Sequence, residues 1–274
     1  MATATWTKWD ADYGSFTAAA EQNKADTDIY YDDKASYQNR LDAFDAFAAT
    51  HTPEETLLYF FAMIVTSADP SQHDNIFGLY DDEMIIYGDQ MVVNARTTTL
   101  TNDLQNLVND TVSTDEVPVD QQVNVAKASV SQMIYAFEND QDVINAYDPS
   151  TVSSILVELN KIQTTLNTYF DPSATPYDPQ YPGHEDTKMQ SFDDMKNRMS
   201  IKDDTGTNNA TTAAKEFTDS FQILTSLTQN TNAVLNQKVS EVTGMMKSWQ
   251  SFVGSLMKSM LSLMSATQNN MSRG

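Results

Sequence analysis

Cysteine is missing from all 274 residues, so neither a disulfide framework nor thiol chemistry is open to this chain. Histidine occurs only as His51, His73 and His184, with no His-x-x-x-His pair on one helix, and a zinc site would lack its usual ligands. No metal and no cofactor is expected. Glycine and proline number 8 each, and strand-period alternation is nowhere sustained; VPVDQQVNV (117–125) is the one candidate strand. Long apolar runs are absent too. With a mean hydropathy of -0.45 and no window of membrane-spanning length, an integral membrane segment is excluded. Basic residues are scarce, 16 against 38 acidic, and a net charge of -22 repels phosphate backbones instead of releasing their counterions. Nucleic acid is therefore not an expected partner. The first residues, MATATWTKWDADYGSFTAAAEQNK, have no positive stretch leading into an apolar core. The expectation is a secreted or cell-surface protein exported without a cleaved signal, with a cytoplasmic location as the alternative.

Catalytic signatures are equally thin. There is no G-x-S-x-G, Walker A or G-x-G-x-x-G sequence. Adjacent acids at Asp32-Asp33, Asp81-Asp82-Glu83, Asp193-Asp194 and Asp203-Asp204 are what a chain with 28 aspartates contains by composition, and they read as solvated faces. The last pair lacks the spaced acids and terminal glutamate of a calcium loop. An enzyme is not expected.

What is present is a helical protein with material for a core: 40% hydrophobic and 10% aromatic residues. Threonine, serine, asparagine and glutamine make up 91 residues, a coat of short neutral hydrogen-bonding groups associated with extracellular bacterial surface polymers. Charge is uneven. Residues 209–274 hold Lys215, Lys238, Lys247, Lys258 and Arg273 against Glu216, Asp219 and Glu241, leaving +2 there and -24 on the rest. Pro172, Pro176, Pro179 and Pro182 bar a helix and place the main organisational break at 171–187, with a second loop expected at 201–210. The expected regions are an N-terminal helical region (1–170), an exposed Pro-rich loop and short helix (171–208), and a long C-terminal heptad helix (209–274).

Between these breaks the apolar spacing is helical. Thr52-Pro53-Glu54-Glu55 supplies a cap, a proline at the first helical position and acids at the positive end of the dipole, so a helix starts there and runs to about Ala68. A helix of about 35 residues follows from Gln72 to Asn109, another from Pro118 to Ala146, and a fourth from Pro149 to Phe170 after Asp148. Residues 15–48 form an earlier helix.

The last segment says most. Leu235, Val239, Val242, Met246, Trp249, Val253, Leu256, Met260 and Leu263 alternate by four and three, the seam of a coiled coil over four heptads. Met245, Phe252, Met257 and Leu261 widen this stripe beyond two positions per heptad, so the helix needs more than one neighbour. Two uses are open: the central helix of the chain's own bundle, or a face shared with other subunits or a chaperone. Membrane-surface insertion is a third. Methionines cluster there (Met245, Met246, Met257, Met260, Met264, Met271) and favour adaptable packing. Trp6 and Trp9, with Tyr13 and Phe16, form a docking stripe in the amino-terminal arm, directed at the chain's own body or at a neighbouring subunit.

The segment TLLYFFAMIV (56–65), running into a polar helix that ends in LTNDLQNLVND (100–110), resembles the first helical region of type III secretion translocator filament proteins, the EspA-like family. The Ser/Asn/Thr/Gln-rich C-terminal helix, from TQNTNAVLNQ to TQNNMSRG (228–274), is similar to that family and to needle-tip proteins. The resemblance implies that 57–110 and 211–272 pair as an intramolecular coiled coil and stack into an extracellular tube, with 111–210 as an exposed insertion. The implied product is an all-α, elongated helical bundle whose long N-half and C-terminal helices pair, assembling with itself after delivery by a secretion chaperone. A flagellin-like surface polymer or a cytosolic helical adaptor are the other readings of the same pattern.

Overall fold

A computed structural model describes residues 4–66, 75–109, 119–169 and 209–271. Seven helices occur among these residues: α1 (Ala4–Ala48), α2 (Pro53–Thr66), α3 (Ile76–Asn109), α4 (Val119–Asn139), α5 (Gln141–Asn145), α6 (Pro149–Tyr169) and α7 (Asn209–Met271). No strand occurs among the described residues, and the all-α reading holds. The expected Pro-rich loop and short helix (171–208) lie outside the described residues, as do His73, His184, Asp193-Asp194 and Asp203-Asp204.

Helix starts follow local chemistry. At α2, Thr52 Oγ1 accepts from the Glu55 amide at 3.3 Å while the Glu55 carboxylate accepts from the Thr52 amide at 3.0 Å, a reciprocal capping box. At α6, the Asp148 carboxylate accepts the amides of Ser150 and Thr151, both at 3.0 Å, and their hydroxyls. Asn75 caps α3 by accepting from Phe77 and Gly78, so that helix begins a few residues later than Gln72. Asp140 ends the expected single stretch to Ala146 in two pieces, because its extended backbone and side chain cap α5 instead of continuing α4. Residues 119–125 of the candidate strand are helical, since Val123 belongs to a stripe with Ala126, Val130, Met133 and Phe137 that is buried throughout.

The chain divides into two compact units, each built from two separate segments of the sequence: Met1–Lys24 with Asp89–Ala233, and Ala25–Gly88 with Val234–Gly274. The first unit holds the hydrophobic core. Trp9, Phe16 and Ala20 from α1, Val93, Leu100 and Leu104 from α3, and the α4 stripe meet Ile155, Leu159, Ile162 and Leu166 from α6 and Phe217, Phe221 and Leu224 from α7. The expected exposure of 111–210 is therefore wrong over 123–168: α4 and α6 each carry an apolar stripe at three and four spacing, and those stripes are in the core. Two polar ties sit inside this unit. The Tyr147 hydroxyl meets Thr97 Oγ1 at 2.7 Å, and Asn94 Nδ2 donates to the Thr228 carbonyl at 2.6 Å. Burial pushes the Tyr147 hydroxyl pKa up.

The second unit is thinner. Among its described residues the buried apolar side chains are Leu79, Ile86, Leu235 and Val242. In it α3 and α7 run antiparallel: Lys238 lies over the Tyr87 ring at 5.2 Å, and Thr243 donates to Met84 Sδ at 3.6 Å. At the α1–α2 corner Phe47 stacks on His51 at 3.6 Å and on Tyr59 at 4.6 Å, and Phe44 packs on Tyr59 and Phe60.

Candidate assembly surface

The C-terminal stripe grades from buried to exposed along one helix. Leu235 and Val242 are buried, and Val239, Met246, Trp249, Val253, Leu256 and Met260 are half-buried. Leu263 is 68% exposed. Beside the seam, Met245, Phe252, Met257 and Leu261 are all exposed, which leaves an apolar face over the last turns of α7. The opposite face carries the polar groups, with Lys247 and Lys258 exposed at its edge.

A second apolar surface belongs to α2. A helix that is apolar on every side is normally buried, yet Leu57 and Leu58 of PEETLLYFFAMIVT are 51% and 67% exposed. Of the large apolar side chains exposed among the described residues, all but Val92, Tyr135, Val157 and Ile223 belong to the second unit, so the uncovered apolar surface is concentrated there.

The amino-terminal stripe is placed differently from the tail. Trp9 is 1% exposed and its Nε1 donates to Gln132 Oε1 at 2.8 Å, while the Tyr13 ring packs at the edge of Phe16. The partner surface of Trp9 is thus the chain's own body, the first of the two expected dockings. Trp6 lies in α1, and its side chain is outside the described residues. Lys8 bridges Asp12, at 3.1 Å, and Asp103, holding this stretch of α1 against α3. Burial raises the Asp103 carboxyl pKa, and the neighbouring Asp12 adds to this while Lys8 opposes it.

One feature within the first unit has no counterpart in the sequence pattern. A groove of about 970 Å³ runs between α6 and α7. Leu156, Val157 and Ile223 form its apolar wall, and Val157 and Ile223 are 49% and 41% exposed. Its charged lining is Glu158, Lys161, Glu216 and Asp219. Glu158 is 5% exposed; its Oε1 accepts from Lys161 at 2.7 Å and its Oε2 is buried with no hydrogen-bond partner.

Among the described residues no cluster of three or more His, Asp or Glu side chains is placed to hold a metal ion. Nor is any described helix long and apolar enough to cross a membrane. No protein-family model, curated protein or solved structure matches the chain.

Proposed function

We propose that this chain is a structural subunit that assembles with itself into an extracellular helical filament or needle tip of a bacterial protein secretion apparatus, with no catalytic role. The observation that carries the reading is the stripe on α7. Its heptad spacing continues unbroken from Leu235 to Leu263, but burial by the chain's own residues fades from Leu235 and Val242 to an exposed Leu263 and leaves the flanking Met245, Phe252, Met257 and Leu261 exposed. A heptad stripe that its own chain covers only in part, with exposed apolar flanks, offers a face to another chain. The exposed leucines of α2 add apolar area to the same unit.

Absence of cysteine and few glycines and prolines suit a chain that travels unfolded and refolds outside the cell. A secretion chaperone would cover the stripe before export. The test is negative-stain microscopy of purified protein at rising concentration, paired with sedimentation velocity. Filaments or rings are the expected result; monomers at every concentration would reject the reading in favour of a helical adaptor.

A further inference from the structure

We propose that the exposed apolar end of α7 seats in the α6–α7 groove of a second copy, so that copies join head to tail. This inference rests on the self-assembly reading and names the surface that receives the stripe.

Charge decides which surface that is. From Val242 onward the chain contains Lys247, Lys258 and Arg273 and no acidic side chain. In a chain of net charge -22, an apolar segment with basic and no acidic side chains is drawn towards the acidic surface of another copy. Two tails laid face to face would bring lysines against lysines. The groove offers the opposite sign: Glu158, Glu216 and Asp219 outnumber Lys161. On α7, Lys258 stands one turn before Leu261, and Lys247 stands three turns before Lys258, roughly 16 Å along the axis. Apolar side chains flanked by ammonium groups thus meet an apolar wall flanked by carboxylates. A volume of about 970 Å³ is at the upper end of ordinary ligand clefts, room for several side chains from one helix face.

Symmetry points the same way. A tail-to-tail contact is self-complementary and closes as a dimer, whereas a tail-to-groove contact uses two different patches and repeats into a ring or an open helix.

Full-length variants test this by mixing. Val157→Lys with Ile223→Lys fills the groove with positive charge, and Met257→Glu with Leu261→Glu spoils the tail. All four side chains are more than 40% exposed, so the fold should persist and circular dichroism should not change. By sedimentation velocity, each variant alone is expected to associate at least tenfold more weakly than the unmodified chain. Mixed one to one, they should form a dimer and nothing larger, because the intact tail of one fits the intact groove of the other. A charge exchange gives a second readout: Glu216→Lys with Asp219→Lys should weaken assembly, and adding Lys247→Glu with Lys258→Glu should restore it.

A groove variant that polymerises like the unmodified chain overturns the proposal, whether the tails meet each other or the groove serves another protein. So does a mixture that stays monomeric. Should the unmodified chain never associate, the self-assembly reading falls with it, a result distinct from either of those.

Discussion

Asp148 shows how much one side chain can do at a helix start. Its carboxylate accepts from the hydroxyls and amides of Ser150 and Thr151, and these bonds hold its pKa down to about 2. A carboxylate whose pKa is depressed on folding contributes stability above its unfolded pKa of about 3.9 and loses that contribution as pH falls through its folded value. Asp148→Ala should therefore cost about 1 kcal/mol at neutral pH. Thermal melts of the variant and the unmodified chain should converge between pH 4 and 2, and a gap that persists below pH 2 would show the cap acting through packing instead. Thr52 and Glu55 do the same work for α2, where hydrogen bonds from the Thr52 amide and hydroxyl lower the Glu55 pKa. In each case the residues that make the cap are three or fewer positions apart.

At the scale of an element, α7 is one helix with two environments. Near Phe217 and Phe221 its apolar residues are in the core, whereas Val253 and Leu256 are half-buried and their neighbours Phe252 and Met257 are exposed. Val253→Asp combined with Leu256→Asp puts two charges into a half-covered seam, and burying an unpaired charge in an interface is strongly unfavourable. The double variant should keep most of its helicity by circular dichroism, because the core around α4 and α6 is untouched, but lose association in sedimentation. Unchanged sedimentation would remove these positions from any interface. The α1 helix shows the reverse arrangement, with its start in the core. Trp9 fills core volume and hydrogen-bonds Gln132, so deletion of residues 1–14 removes an anchor of the first unit. Truncating a buried aromatic costs about 3–5 kcal/mol. The deleted chain should melt at a clearly lower temperature, and a melt equal to that of the full chain would show the arm to be dispensable.

For the whole molecule, burial predicts unequal protection. The core cluster lies entirely in the unit formed by Met1–Lys24 and Asp89–Ala233, while the other unit has few fully buried side chains among its described residues. Regions with few buried apolar contacts open at lower free energy. Hydrogen exchange should be slowest over 93–104, 123–137 and 152–166, and faster over 53–63 and 245–263. On assembly, 245–263 should gain protection if it enters a contact between copies. Exchange that is uniform across both sets would contradict the burial pattern, and protection at 245–263 that does not change with concentration would contradict the contact.

What the amino-acid order determined alone was local: the helical class, the capped starts at Thr52 and Asp148, the long helix ending at Asn109 and the regular stripe of the C-terminal helix. These depend on residues within a turn or two of one another, where capping and three-and-four spacing act. Tertiary structure alone decided which stripes face inward. Ile155, Leu159, Ile162 and Leu166 are spaced like Val242, Met246, Trp249 and Val253, yet the first set is fully buried and most of the second is half-covered, because a heptad stripe encodes the need for a partner and not which partner meets it. Trp9 finds Gln132 across 123 positions of sequence, and the groove joins Glu158 of α6 to Asp219 of α7 across the 39 residues from Phe170 to Asn208. Contacts at such separations are selected by the fit and burial of whole helix faces, which no short window of sequence contains.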